Sequence, residues 1–443
     1  MLIKTQAAKL PIQSKASNSS VPKKTVQGSK RFLRKLGPGL ITGASDDDPS
    51  GIGTYSQVGA QFGYGLLWSM LLSYPLMAAI QEISARIGRV TGVGIAANLR
   101  KHYPKPLLYG VLVVVSVANV FNLGADIGAM GAAAQLVLPG NVNLFVVIFG
   151  VGSLAGVLLV PYSSYAKYLK WMTLSLFAYV GVAFFARVSW TSVVRETLLP
   201  RIELSRDYLT AVVAVLGTTI SPYLFFWQAS QEVEEVRKNH GEKPLKHAPS
   251  QSAEQLDRIR IDTYLGMAFS NLIAFFIILT AAATLHANGI TAISTSKQAA
   301  EALRPIAGNF AFVLFVFGIV GTGLLAVPVL AASVCYGIGE ASRWRVSLEE
   351  KPGRAVRFYA AIAVATLAGL SLNFLHIDPV KALYWAAILN GIVAAPLMAV
   401  IMVMSSSRKV MGKLVIPAYL KWVGWIATSI MLCASAGILL ATI

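Results

Sequence analysis

The run Asp46-Asp47-Asp48 is the part of this sequence best equipped for chemistry. Pro49-Ser50-Gly51 follows it at once, and apolar residues flank the whole stretch, Leu40-Ile41 before and Ile52 after. Acids inside an apolar stretch are costly unless they face water, a cation or a partner group. Proline lacks a helical donor, so the stretch cannot continue as a lipid-facing helix. Unwinding frees backbone carbonyls beside a carboxylate, a donor set suited to hard divalent cations. Asp48, at the break itself, is the expected charged ligand, with Ser45 and Gly51 beside it. Asp46 and Asp47 are expected to line the access path. An interfacial acidic cap is the plainer alternative, and the apolar residues on both sides count against it.

A second interruption has the same character. Ala211 to Thr219 runs into Ile220-Ser221-Pro222-Tyr223, again placing proline in the middle of an apolar segment. Thr218, Thr219, Ser221 and Tyr223 offer oxygen donors there. Hydroxyls within a helix usually bond their own backbone; a position opposite the first break is what makes Thr218 and Ser221 candidate ligands. Asn122, Asp126, Asn271 and Asn390 are further polar groups in apolar segments, and hydrogen bonding between helices explains them as well as transport does. Tyr223, Asn122, Asp126 and Asn390 are retained as supporting or pathway residues. Glu232, Glu234 and Glu235 read as an interfacial acidic face, with a cationic vestibule as the alternative. The five histidines (His102, His240, His247, His286 and His376) fall in loops or at segment ends, so no buried imidazole site is expected. Met70, Met77 and Met172 read as core packing.

These residues must be positioned by membrane helices. The chain has 443 residues, 55% of them hydrophobic and only 13% charged, with a mean hydropathy of +0.62. A soluble protein carries roughly twice that charge, so a water-soluble fold is excluded. Eleven spans are expected, at 37–62, 65–87, 107–136, 143–160, 166–187, 208–235, 262–286, 306–338, 356–375, 380–404 and 420–442. With the N-terminus inside, 31 of the 38 basic residues fall on the inner side and 7 on the outer. That asymmetry predicts N-terminus in and C-terminus out of a cell-membrane protein. It also accounts for the net charge of +18 without nucleic acid. Residues 1–36, with nine Lys/Arg and no acid, read as a disordered cytoplasmic tail without a cleavable signal. The two interrupted spans, five apart, predict inverted repeats of spans 1–5 and 6–10 whose broken midpoints face each other. Residues 37–187 and 208–404 then form a two-repeat transporter core within 37–404, and 420–442 an additional helix. Two cysteines in apolar context, Cys335 and Cys433, exclude a disulfide framework or a zinc site. No His-Glu-x-x-His pair or Gly-x-Ser-x-Gly elbow supports an enzyme. No cofactor is expected beyond a transported divalent ion. The oligomeric state stays open, a monomer being compatible with the reading.

Gly37-Pro38-Gly39-Leu40 followed by Asp48-Pro49-Ser50-Gly51-Ile52 resembles the first helix of the Nramp divalent-metal transporters. Ser84-Ala85-Arg86-Ile87-Gly88-Arg89-Val90-Thr91-Gly92 is similar to their second-helix signature, and the resemblance extends over most of residues 31–404. It implies the LeuT-type fold and alternating access around a central metal site. Departures are equally informative. The family's first-helix asparagine ligand falls on Gly51. Its sixth-helix Met-Pro-His reads Ser221-Pro222-Tyr223, its third-helix acid falls on Asn122 with Asp126 one turn away, and its tenth-helix glutamine falls on Asn390. These departures resemble the Nramp-related magnesium transporter branch. A site without the methionine sulfur loses its preference for Mn²⁺ or Fe²⁺, and smaller side chains at Gly51 and Ser221 are expected to leave room for a partly hydrated ion. The expectation is therefore transport of Mg²⁺ and Mn²⁺ without proton coupling. The alternatives are a proton-coupled Mn²⁺/Fe²⁺ importer and an amino-acid transporter on the same scaffold.

Overall fold

The computed structural model describes residues 38–161, 164–165, 172–203, 205–239, 241–375 and 377–441. The expected tail at 1–36 and the first turn of the fifth span lie outside them. Among the described residues there is no β-strand. The first expected span is two helices, α1 (Pro38–Asp46) and α2 (Pro49–Phe62), with Asp47 and Asp48 between them. The second is α3 (Trp68–Thr91), followed by the short α4 (Ile95–His102). Then come α5 (Lys105–Ala134) and α6 (Val142–Leu159). The described part of the fifth span is a 3₁₀ turn at Met172–Leu176 and α7 (Phe177–Phe185), bent by 115° from α8 (Trp190–Leu198). The sixth is again divided, into α9 (Arg206–Thr219) and α10 (Pro222–Lys238). The remaining spans are α11 (Ser252–Thr284), α12 (Ala311–Ala341), α13 (Val356–Leu372), α14 (Pro379–Ser406) and α15 (Ala418–Ala441).

Among the described residues, eight helical segments, with α9 and α10 taken together as one, are long and apolar enough to cross a membrane. Three expected spans lie outside that set. The first is divided at its acids, the second carries Glu82, Arg86 and Arg89, and the fifth is described only in part. Two boundaries differ from expectation. α11 begins at Ser252, ten residues early, because its polar first turns pair with neighbours instead of ending the helix; Arg258 is bound to Glu232. α12 begins at Ala311, after a separate turn at Arg304–Ala307.

Close backbone contact fixes the divided spans. α11 runs alongside both halves of the first, and a Cβ at Gly43 would lie 2.2 Å from the Gly266 carbonyl oxygen. Membrane helices gain association from such small-residue contacts, since lipid supplies no hydrophobic drive between them. At the second break, a Cβ at Gly217 of α9 would lie 2.1 Å from the Ala387 carbonyl oxygen of α14, which brings the neighbourhood of Asn390 beside Thr218. The start of α1 is tied down by Asp262 of α11, whose Oδ2 accepts from the Gly39 amide at 2.7 Å. Side chains such as Val113, Val364 and Trp422 point outward, as lipid requires, while Asp46, Asp47, Asp48 and Asp126 are buried.

Candidate functional site

Asp48 is the N-cap of α2, in extended conformation at φ −72° and ψ 169°. Its Oδ1 accepts from the Gly51 amide and from the Ser50 hydroxyl, both at 2.7 Å. This oxygen is therefore committed to the first turn of its own helix, as an aspartate cap normally is. Its Oδ2 faces two other helices. Asn122 Nδ2 of α5 donates to it at 3.2 Å, and the Tyr223 hydroxyl of α10 lies at 3.4 Å. The same hydroxyl donates to the Ser45 carbonyl at 3.1 Å, so Tyr223 bridges the two sides of the first break. A buried charge is tolerable only with such compensation; Asp48 has three donors of its own and shares the Tyr223 hydroxyl with the Ser45 carbonyl.

Asp126 approaches from α5, and its Oδ1 accepts from the Ser50 amide at 3.1 Å. The N-terminus of α2 thus meets two carboxylates, as the positive end of a helix dipole favours. The other two acids turn away from Asp48. Ser270 of α11 donates to Asp46 Oδ2 at 2.8 Å and lies 3.0 Å from Asp47 Oδ1. The triple-aspartate run is therefore divided, with Asp48 toward α5 and α10 and Asp46 and Asp47 toward α11.

The candidates from the sixth span are close but differently employed. Ser221 Oγ donates to the Thr218 carbonyl at 2.8 Å, so that hydroxyl is turned onto its own helix. Ser45 Oγ is likewise bonded to the Ile41 carbonyl at 2.9 Å, and Ser45 contributes its carbonyl to the break. Thr218 faces Gly51 directly: a Cβ there would lie 3.2 Å from Thr218 Oγ1 and 3.3 Å from the Tyr55 ring. The open space expected at Gly51 is therefore absent, because Tyr55 and Thr218 fill it. Asn390 is buried in α14 with neither amide atom hydrogen-bonded, and it makes no direct bond to Asp48. Glu232 and Glu234 are engaged in structure, Glu232 with Arg258 and Glu234 with the Tyr336 hydroxyl and the Leu348 amide.

Four buried oxygens around the first break have no hydrogen-bond donor: Asp46 Oδ1, Asp47 Oδ2, Asp126 Oδ2 and Asn122 Oδ1. No lysine or arginine among the described residues pairs with any of the three acids or with Asp48. The break is thus a buried region rich in carboxylate oxygens, and the side-chain atoms there that could hold a cation are all oxygens. Among the described residues no three His, Cys, Asp or Glu side chains converge as a ready cage. A cation here would be held by Asp48 and neutral oxygens, the arrangement Mg²⁺ accepts while keeping part of its water shell.

Sequence reasoning missed Ser270, Tyr55 and Asp262. Tyr55 stands seven residues after Asp48, two helical turns along one face, and that spacing was a usable signal. Ser270 and Asp262 carried none, since a lone polar residue in a span looks the same whether it bonds its own backbone or a distant acid.

The family profile described as Natural resistance-associated macrophage protein-like, Nramp, matches residues 39–441. The divalent metal cation transporter MntH of Klebsiella pneumoniae is 24% identical over 432 residues, covering 94% of this chain and 97% of that protein. MntH of Yersinia enterocolitica is 27% identical over 319 residues, covering 70% and 74%. The crystal structure of the Eremococcus coleocola manganese transporter superposes with a TM-score of 0.74 at 16% identity, covering 96% of this chain and 90% of that one. Mhp1, a nucleobase-cation-symport-1 family transporter, superposes at 0.53 with 15% identity, covering 91% and 92%. The fold is LeuT-type, with its first and sixth helices broken.

Proposed function

The chain belongs to the Nramp family, and on that premise we propose that it is a transporter of divalent metal cations, Mg²⁺ and Mn²⁺ among them, working by alternating access. The observation that carries this reading is the set of buried carboxylate oxygens around Asp48 without hydrogen-bond donors, with no lysine or arginine among the described residues to neutralise them. A divalent ion supplies the missing positive charge. Asp48 Oδ2 is the oxygen it would take, since Oδ1 is held by α2. Tyr223 and Asn122 each carry an oxygen that can turn toward the ion once their hydrogens leave Asp48. The donor set lacks sulfur and imidazole, which favours a hard ion. An amino-acid substrate fits poorly, because its carboxylate would meet four buried acids.

Uncoupled movement is sufficient energetically. A divalent ion gains about 4.6 kcal/mol per 100 mV of membrane potential, twice the value for a single charge. Asn122 cannot titrate, and no histidine lies in α9 or α10. The test is flux into proteoliposomes holding the purified protein, with Mg²⁺, Mn²⁺ and Ca²⁺ in turn, with and without a pH gradient. Mg²⁺ and Mn²⁺ are expected to enter and to compete, with no acidification of the lumen. Amino-acid uptake without metal uptake would overturn the reading.

The proposed orientation has the N-terminus inside, from the basic asymmetry between loops. A thiol engineered at position 20 should then resist an impermeant maleimide added to intact cells. Cys433 is exposed and is best replaced by serine first, so that it adds no background. Efficient labelling at position 20 would reverse the inside and outside assignments.

A further inference from the structure

The junction between the second and third spans carries a cationic groove lined by none of the residues around Asp48. α4 ends in Arg100-Lys101-His102, and the turn at 244–247 and the short helix Arg408–Met411 pack over that end. Arg100, Lys101, His102, Lys246 and His247 line a groove of about 350 Å³ in which no acid takes part. Its frame is fixed by the backbone. The Leu245 amide donates to the Arg89 carbonyl at 3.1 Å and the Lys246 amide to the Val90 carbonyl at 3.0 Å. Gly92 turns the chain at φ +71°, where a Cβ would lie 2.4 Å from Pro244. Arg100 is occupied with the carbonyls of Glu340 and Ala341, while Lys101 and His247 are exposed to solvent. Burial, and after it the charges of Lys101, Lys246 and Lys409, hold His102 below the usual imidazole range. Unopposed cations crowded in this way call for an anion.

The surroundings say which kind. Val93, Ala97 and Val410 give the groove an apolar floor. Three residues past His102 the chain enters α5, whose Tyr109, Val113 and Val117, four residues apart, are 57%, 61% and 59% exposed. This outward stripe is the lipid-facing side of a span. We propose that the groove binds the phosphate headgroup of an anionic membrane lipid, whose acyl chains lie along the exposed stripe of α5. Anionic lipids concentrate in the leaflet that basic loops face, and basic pockets at span ends suit their headgroups.

The test is native mass spectrometry of the full-length protein titrated with phosphatidylglycerol or phosphatidylcholine, with inorganic phosphate as competitor. Wild type should retain phosphatidylglycerol over phosphatidylcholine, undisturbed by millimolar inorganic phosphate. Lys101→Gln with Lys246→Gln should weaken retention about tenfold or more. Lys351→Gln with Arg354→Gln, an equal charge change in the exposed turn before α13, should leave it unchanged. Lys101→Glu alone keeps the Lys246 bond to the Val410 carbonyl and should weaken retention as well. Equal loss in the control pair, no preference between the two lipids, full retention in Lys101→Glu, or displacement by inorganic phosphate would each overturn the proposal.

Discussion

Asp48→Ala is expected to abolish metal uptake, a fall of at least a hundredfold, in a protein that still folds and inserts. The loss of uptake follows from charge, because Asp48 alone of the run's three carboxylates faces α5 and α10, while Asp46 and Asp47 are turned to Ser270. The survival of the fold follows from the hydrogen bonds. Removing an aspartate cap costs about 1 kcal/mol, and the Ser50 amide keeps its bond to Asp126. Tyr223 keeps its acceptor in the Ser45 carbonyl, so besides the capped Gly51 amide only the Ser50 hydroxyl and the Asn122 amide lose a partner. Asp48→Asn separates charge from capping: its amide oxygen can still accept from Gly51, yet it offers a cation no charge. Both variants should therefore be inactive, with Asp48→Asn the closer to wild type in thermal stability. Uptake of Mg²⁺ and Mn²⁺ at equal expression, read beside a melting curve in detergent, checks this. Normal uptake by either variant would remove Asp48 from the site.

The elements were more legible in the sequence than the contacts between them. Proline beside three acids, and proline after Ile220-Ser221, located both breaks to within a residue, because a missing helical donor is a local property. The position of Asp48 at the first break was legible for the same reason. The division of labour among the acids was not. Whether Asp46 and Asp47 join Asp48 or leave it depends on Ser270, over two hundred residues away on α11. The space at Gly51 was misjudged because a missing side chain in one residue reveals nothing about the neighbour that fills it. Here that neighbour is Tyr55, on the same helix. Ser221 was placed at the break correctly, but which way its hydroxyl turns depends on the Thr218 carbonyl, a property of the folded break.

Selectivity should follow Gly51 and Ser221, where the resemblance to the Nramp motifs implies an asparagine and a methionine. Gly51→Asn with Ser221→Met adds an amide oxygen and a soft sulfur, and it is expected to move preference toward Mn²⁺ over Mg²⁺ by tenfold or more. The geometry makes the two halves unequal. At Gly51 a Cβ meets Thr218 Oγ1 and the Tyr55 ring at 3.2 and 3.3 Å, so both side chains must yield by a few tenths of an ångström. Both are side chains and not backbone, which makes the shift tolerable. At Ser221 the change forfeits one bond to the Thr218 carbonyl, about 1 kcal/mol, and methionine is flexible enough to fill an irregular gap. Ser221→Met alone should therefore carry most of the shift, and it is the safer variant to measure first. The readout is the ratio of Mn²⁺ to Mg²⁺ flux in proteoliposomes. An unchanged ratio in a transporting Ser221→Met protein would show that the sixth-helix break does not set ion softness. A wild type that moves Mn²⁺ but not Mg²⁺, and acidifies the lumen as it does so, would overturn the uncoupled magnesium reading. Asp126, whose Oδ2 lies buried without a donor, would then be the first residue to examine as proton carrier. Asp126→Asn keeps an oxygen for the Ser50 amide, and in that case it should separate metal movement from proton movement.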